Sequence, residues 1–201
     1  MIKDYDILIF VETKTDEFDE INLPGGYSYH VKHPIFFKRK SGGIIIIYKD
    51  TISKCLTFPT SNSEFVQWVE IANECSKFTK LLIGCVYIPP ETTKYTSDNA
   101  FNEIENELMS FSQNTKHITL VGDFNSRTSN LTNYILPDEE LINEILDIVD
   151  DDVIESMFSH QILQHHDIPL DRYSEDRARP NTYEMNLIKL CKRCSLFIAS
   201  D

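Results

Sequence analysis

Five short apolar runs constrain this chain more than anything else in it. They are Asp6-Ile-Leu-Ile-Phe-Val11, Gly42-Gly-Ile-Ile-Ile-Ile-Tyr48, Phe65-Val-Gln-Trp-Val-Glu-Ile71, Leu81-Leu-Ile-Gly-Cys-Val-Tyr87 and Ile118 to Val121. Aliphatic, largely β-branched runs of this length, bounded by Gly, Pro or charge, are too short for core helices and read as buried strands. The third alternates more nearly, as a half-exposed strand would. Helical patterns fall between and after them. Asn99 to Phe111 places Phe101, Ile104, Leu108 and Phe111 on one face, with Thr96, Ser97 and Asp98 as N-cap candidates. Asp138 to Val149 does the same with Leu141, Ile145 and Ile148, behind Pro137. A third helix is predicted over Thr182 to Cys194, carrying Met185, Ile188 and Leu190. Alternating strands and helices predict a layered α/β or α+β sandwich, and neither an internal repeat nor a low-complexity linker interrupts it.

The chain has 201 residues, 41% of them hydrophobic, enough for one sizeable core, so a single domain over 1–201 is expected. Nineteen Lys and Arg against 32 Asp and Glu leave a formal net charge of −13. That balance excludes a general electrostatic binder of nucleic acid or anionic membrane. A phosphate-bearing substrate would need a local basic patch or a metal ion. No stretch approaches the ~20 apolar residues of a membrane span. The apolar run near the N-terminus also lacks the length and cleavage site of a signal peptide. The expectation is a soluble intracellular protein, nuclear or cytoplasmic. Five cysteines, Cys55, Cys75, Cys85, Cys191 and Cys194, are an odd number on apolar segments and suggest reduced thiols. Cys191 and Cys194 have the spacing of half a zinc site, with no second pair to complete it.

Three strand ends present chemistry. Glu12 follows the first run, Tyr87 closes the fourth ahead of Ile-Pro-Pro90, and the fifth opens into Gly122-Asp-Phe-Asn125. Polar side chains held by a rigid sheet at a loop are well placed to face a cleft. If these strands are sheet neighbours, the four groups converge on one edge. The set suits phosphoester hydrolysis. Glu12 offers oxygen to a hard cation such as Mg²⁺ or Mn²⁺. Asp123 can orient or deprotonate water, with Asn125 fixing that carboxylate or a phosphate oxygen. Tyr87 can donate to developing charge. Each group also has an ordinary reading: Gly-Asp-Phe-Asn as a self-capped turn, Glu12 as a solvated carboxylate, Tyr87 as a loop anchor.

Taken in order, YDILIFVET, SGGIIIIYKD, LLIGCVYIPPE and HITLVGDFN resemble the endonuclease/exonuclease/phosphatase superfamily. Within it, VETKTDEFDEINLPGGY and GDFNSRTS are similar to the apurinic-type endonuclease domain of LINE-like non-LTR retrotransposons. Arg172, Ser174, Asp176 and Asn181 resemble the stretch that follows there, whose helix leads into another core strand, here Ser195 to Ala199. The resemblance implies a four-layered α/β/β/α sandwich with the active site at one end of two packed sheets. It implies Glu12 as the metal-binding glutamate, Tyr87 as the tyrosine at the scissile phosphate, and Asp123 and Asn125 as the pair orienting water and phosphate. DNA is the implied partner and target-DNA nicking the implied reaction.

Departures from the pattern are specific. The family's first strand, bearing an asparagine, and its closing Ser-Asp-His strand have no counterpart, so the resemblance implies a sandwich truncated at both ends. None of the six histidines, His30, His33, His117, His160, His165 and His166, is preceded by aspartate. Glu184 stands where the branch usually has glycine. An impaired nuclease is therefore expected, with a catalytically inactive remnant or binding module as the alternative.

Basic residues at Lys38, Arg39 and Lys40, beside Phe36 and Phe37, are candidates to grip a phosphate backbone. An exposed basic hairpin tip is the ordinary reading. Arg127, next to the Asp-Phe-Asn turn, is a further nucleic-acid candidate. His160, His165, His166 and Asp167 could gather a metal or simply end a helix. The acidic run Asp150 to Asp152 reads as a solvated helix face.

Overall fold

A computed structural model of the chain describes residues 2–33, 42–75, 80–97, 99–127, 131–132, 134, 160–165, 168–170 and 181–199. It forms two compact units, Met1–Asn125 and Ser126–Asp201, and its class is α+β.

The first unit contains β1 (Ile7–Val11), β2 (Tyr27–Lys32), β3 (Ile44–Lys49), β4 (Leu56–Thr57), β5 (Val66–Ala72), β6 (Lys80–Tyr87), the helix α1 (Ala100–Ser112) and β7 (His117–Asp123). The strands make two sheets, in the orders β1-β3-β2 and β4-β5-β6-β7. All pairings are antiparallel except β6 with β7, which run parallel and are joined through α1. That connection has the long, helical form a parallel pair requires.

Alternation along each strand decides which sheet faces what. Ile44 and Ile46 of the three-stranded sheet pack with Leu56, Val69, Cys85 and Tyr87 of the other, and Ile7, Ile9, Val11, Ile71 and Ile83 close around them. The two sheets therefore meet face to face over one apolar layer. Burial there pushes the Cys85 thiol up to about 12, which keeps it protonated and inert.

The outer face of the four-stranded sheet is covered by α1. Phe101, Ile104 and Leu108 are buried on the helical spacing, while the ring of the half-buried Phe111 tilts against Trp68 at 5.1 Å. Gly84, paired with Trp68, has no side chain because a Cβ would lie 2.6 Å from both the indole and Leu120. Glu107 of α1 accepts from Trp68 Nε1 at 2.6 Å, from the amides of Asn62 and Ser63 at 2.6 and 3.0 Å, and from the Ser61 hydroxyl. One carboxylate thus ties the helix to both a core strand and the loop ahead of it.

Several expectations are corrected. β5 is not half exposed: Val66, Gln67, Trp68 and Val69 are all buried, because the facing sheet covers one side and α1 the other. Helix α1 has Asn99 at its N-cap with no side-chain cap bond; the Ser97 hydroxyl accepts from the Asn99 amide at 3.3 Å. Cys55 is disulfide-bonded, whereas Cys85, Cys191 and Cys194 form no disulfide. Parity and spacing do not reveal which thiols a fold brings together.

The second unit includes α2 (His160–His165) and α3 (Thr182–Arg193). Asn181 caps α3 by accepting from the Glu184 amide at 2.9 Å, so Glu184 is buried at the capping-box position of a helix rather than shaping a loop. Tyr183, Leu187, Ile188, Leu190 and Cys191 form the buried face of α3. The helix ends with Ser195 at φ 51° and Leu196 N donating to Cys191 O at 2.9 Å, a Schellman closure without glycine. The strand expected over Ser195 to Ala199 is absent: Ser195 is left-handed, and Leu196 to Ala199 carry no ladder pairing among the described residues. The helix predicted over 138–149 lies outside the described residues. Among the described residues, no helix is long and apolar enough to cross a membrane.

Candidate active site

Parallel pairing of β6 with β7 sets Tyr87 directly beside Asp123. Partners in register share a face of the sheet, and Tyr87 belongs to the layer between the sheets, so Asp123 shares the inner face. From the opposite sheet, β1 brings Val11 into that layer, and Glu12 follows it directly. The convergence anticipated along one sheet edge is thus across the sandwich: β1 is not a sheet neighbour of β6 but faces it.

The electrostatics of Tyr87 report the meeting. Burial, then the charges of Glu12 and Asp123, then a hydrogen bond to the Glu12 carboxylate push the phenol up to about 12. A phenol held this way stays protonated at neutral pH and keeps its proton available to donate.

Local backbone geometry holds each group in place. Gly122 adopts φ 135°, and a Cβ there would run into the Val86 carbonyl; glycine alone lets β7 lie this close to β6 just ahead of Asp123. The Asp123 carbonyl accepts from the Ile88 amide at 2.9 Å, extending the pairing past Tyr87. Asp123 Oδ1 accepts from the Asn125 amide at 2.9 Å, the self-capped turn that Gly-Asp-Phe-Asn suggests. Asn125 sits at φ 47°, a conformation asparagine tolerates, and its Nδ2 donates to Ile88 O at 2.8 Å. Its side chain therefore laces the loop after β7 to the loop after β6.

At the end of β1, Glu12 and Lys14 adopt φ 54° and 55°. Left-handed backbone at non-glycine residues costs about 1–3 kcal/mol each and persists where surrounding structure imposes it. Here Thr13 N and Lys14 N donate to the carbonyls of Gly43 and Gly42 at 3.3 and 2.8 Å, and both glycines have positive φ themselves. Glu12 is 49% exposed, and Lys14 Nζ stands 3.2 Å from its Oε1. Lys14 was not singled out by sequence reasoning; the short Glu-Thr-Lys spacing is the only signal for it.

Among the described residues, no three or more His, Cys, Asp or Glu side chains gather as a metal cage. A hard cation such as Mg²⁺ does not need one, since it commonly uses one or two carboxylates with water and substrate oxygens. Glu12 fits that requirement: it is accessible to solvent and already holds a cation, the Lys14 ammonium, at its oxygen. Asp123 is the second carboxylate near the Tyr87 phenol.

Lys38, Arg39 and Lys40 lie outside the described residues, although the flanking His33 and Gly42 do not. Gly42 is fastened to Lys14, and His33 Nδ1 is 3.2 Å from Thr15 O, so both flanks of the basic segment contact the chain just past Glu12. Arg127 is exposed and belongs to the second unit. Of the proposed histidine cluster, His160 is buried and stacks with Tyr134 at 5.9 Å, while His166 and Asp167 lie outside the described residues. Cys191 is buried on α3, as the helix-core reading has it. In comparison with known proteins, no family model and no curated protein matches this chain.

Proposed function

We propose that this chain is a metal-dependent DNA endonuclease domain, hydrolysing one phosphodiester to nick its target, and that it derives from a retrotransposon. The observation that supports the chemistry is the grouping of Glu12 and Asp123 around the protonated Tyr87 phenol, from three strands and two sheets. The retrotransposon setting and the choice of DNA rest on the resemblance of VETKTDEFDEINLPGGY and GDFNSRTS.

In this reading Glu12 holds Mg²⁺ or Mn²⁺, which supplies charge neutralisation at the phosphate. Asp123 orients the attacking water and accepts its proton, its carboxylate aimed by the turn bond from the Asn125 amide. Tyr87 donates to a phosphate oxygen as charge develops, a role open to it because the phenol does not ionise near neutral pH. Asn125 keeps the two strand-end loops in register through Ile88. No covalent intermediate is required.

A second reading, a catalytically silent binding module on the same scaffold, takes its support from one observation: none of the six histidines in these 201 residues follows an aspartate. Nicking of supercoiled plasmid with Mg²⁺, beside Glu12→Ala and Asp123→Ala, separates the two. Nicking that each substitution lowers by about 10²-fold or more supports the endonuclease. A folded chain that binds DNA without nicking it supports the silent module.

A further inference from the structure

The ion pair of Lys14 with Glu12 is not a by-product of sheet register, since β1 ends at Val11. The chain is bent into it. Two left-handed residues, Glu12 and Lys14, flank Thr13, and two backbone bonds to Gly42 and Gly43 lock the curl. The curl carries an ammonium to 3.2 Å from the carboxylate that also hydrogen-bonds Tyr87. Strained backbone held this firmly beside a candidate site points to a use for the arrangement.

We propose that Lys14 is the resident counter-ion of Glu12, its ammonium occupying the cation position at that carboxylate, so that a divalent cation binds by displacing it. The inference rests on the metal role proposed for Glu12 and concerns control of that same site. Lys14 is 59% exposed, so its side chain has solvent to swing into once displaced. An ion pair this exposed is weak. The competition therefore lowers divalent-cation affinity by only about two- to fivefold. Lys14 is a positioning residue: it keeps Glu12 neutralised and directed until a metal arrives. An ordinary surface ion pair with no such role would leave metal affinity unchanged when Lys14 is altered.

The test is Mn²⁺ binding by the full chain without DNA, read from the resonance signal of free Mn²⁺, for wild type, Lys14→Met, Lys14→Arg and Glu12→Gln. The expected result is tighter binding in Lys14→Met by about two- to fivefold, wild-type binding in Lys14→Arg, and loss of binding in Glu12→Gln. Loss in Glu12→Gln with Lys14→Met unchanged or weaker overturns the displacement while leaving Glu12 as a metal ligand. Binding that Glu12→Gln does not weaken removes both the metal role and this proposal. Lys14→Arg behaving like Lys14→Met traces the gain to an altered curl rather than to charge, and also overturns it.

Discussion

The Tyr87 phenol hydrogen-bonds the Glu12 carboxylate, although Tyr87 ends a strand of one sheet and Glu12 follows a strand of the other. Tyr87 therefore senses whether the sandwich is closed. Its pKa is raised from 10.0 to about 12, so the unfolded chain loses this proton first as pH rises. The stabilisation is complete below about 10 and disappears as pH climbs through about 12. Ultraviolet titration of the tyrosines should show one phenol ionising late, and Tyr87→Phe should remove that component. Glu12→Gln should move it only part of the way back, because burial is the largest cause. A full return would mean that the carboxylate, not burial, dominates.

Gly122→Ala should be severe. The residue sits at φ 135° with the Val86 carbonyl against the missing Cβ, so both backbone strain and collision act on the β6–β7 pairing. A loss of about 3 kcal/mol or more is expected in denaturant unfolding. A variant within about 0.5 kcal/mol of wild type would show that β7 does not lie this close to β6.

Glu107→Ala should loosen α1 from the sheet. It strands the indole N–H of Trp68 and the Ser63 amide and releases the Asn62 amide and the Ser61 hydroxyl, at an expected cost of about 3 kcal/mol. Glu107→Gln, which keeps an acceptor oxygen, should cost less. Trp68 is the chain's single tryptophan, so its emission reports the change directly. Unchanged emission in Glu107→Ala would remove the indole–carboxylate bond from this picture.

Acid should weaken the contact between β2 and the four-stranded sheet. Burial lowers the pKa of His30 below 6.5, partly opposed by a hydrogen bond with Gln67 and aided by Lys32. The ring also stacks on Phe58 at 4.2 Å. Below 6.5 the unfolded chain takes up a proton that the folded imidazole resists. The stabilisation is therefore present above 6.5 and lost as pH falls through the lowered folded value. His30→Phe, which keeps the stacking, should show a smaller fall in its denaturation midpoint on acidification. An identical pH dependence in both proteins would place His30 in water.

The segments legible in the sequence were those whose local pattern alone implies burial. β1, β3, β5, β6 and β7 fall within a residue or two of the apolar runs, and α1 and α3 on their helical spacing, because each run needs only its own periodicity to be recognised. β2, Tyr27–Lys32, was missed although Gly25 and Gly26 precede its alternating aromatics; its polar residues, His30 and Lys32 among them, disguise a strand whose burial depends on Phe58 and Gln67. β4 is two residues long and exists only because β5 lies beside it. The expected strand after α3 yielded to a helix closure in which Ser195 turns left-handed.

Glu12, Tyr87, Asp123 and Asn125 were visible by themselves as polar residues at strand ends, since residue type and the end of an apolar run are local facts. Their meeting was not. It depends on the parallel register that pairs Tyr87 with Asp123 and on the packing of Ile44 and Ile46 against Val69 and Cys85, which brings β1 across from β6. Those are contacts between distant segments, whose register is set by which side chains fill one shared layer. The strands could thus be read from periodicity, while the grouping around the Tyr87 phenol, and the curl that holds Lys14 to Glu12, came only from tertiary packing.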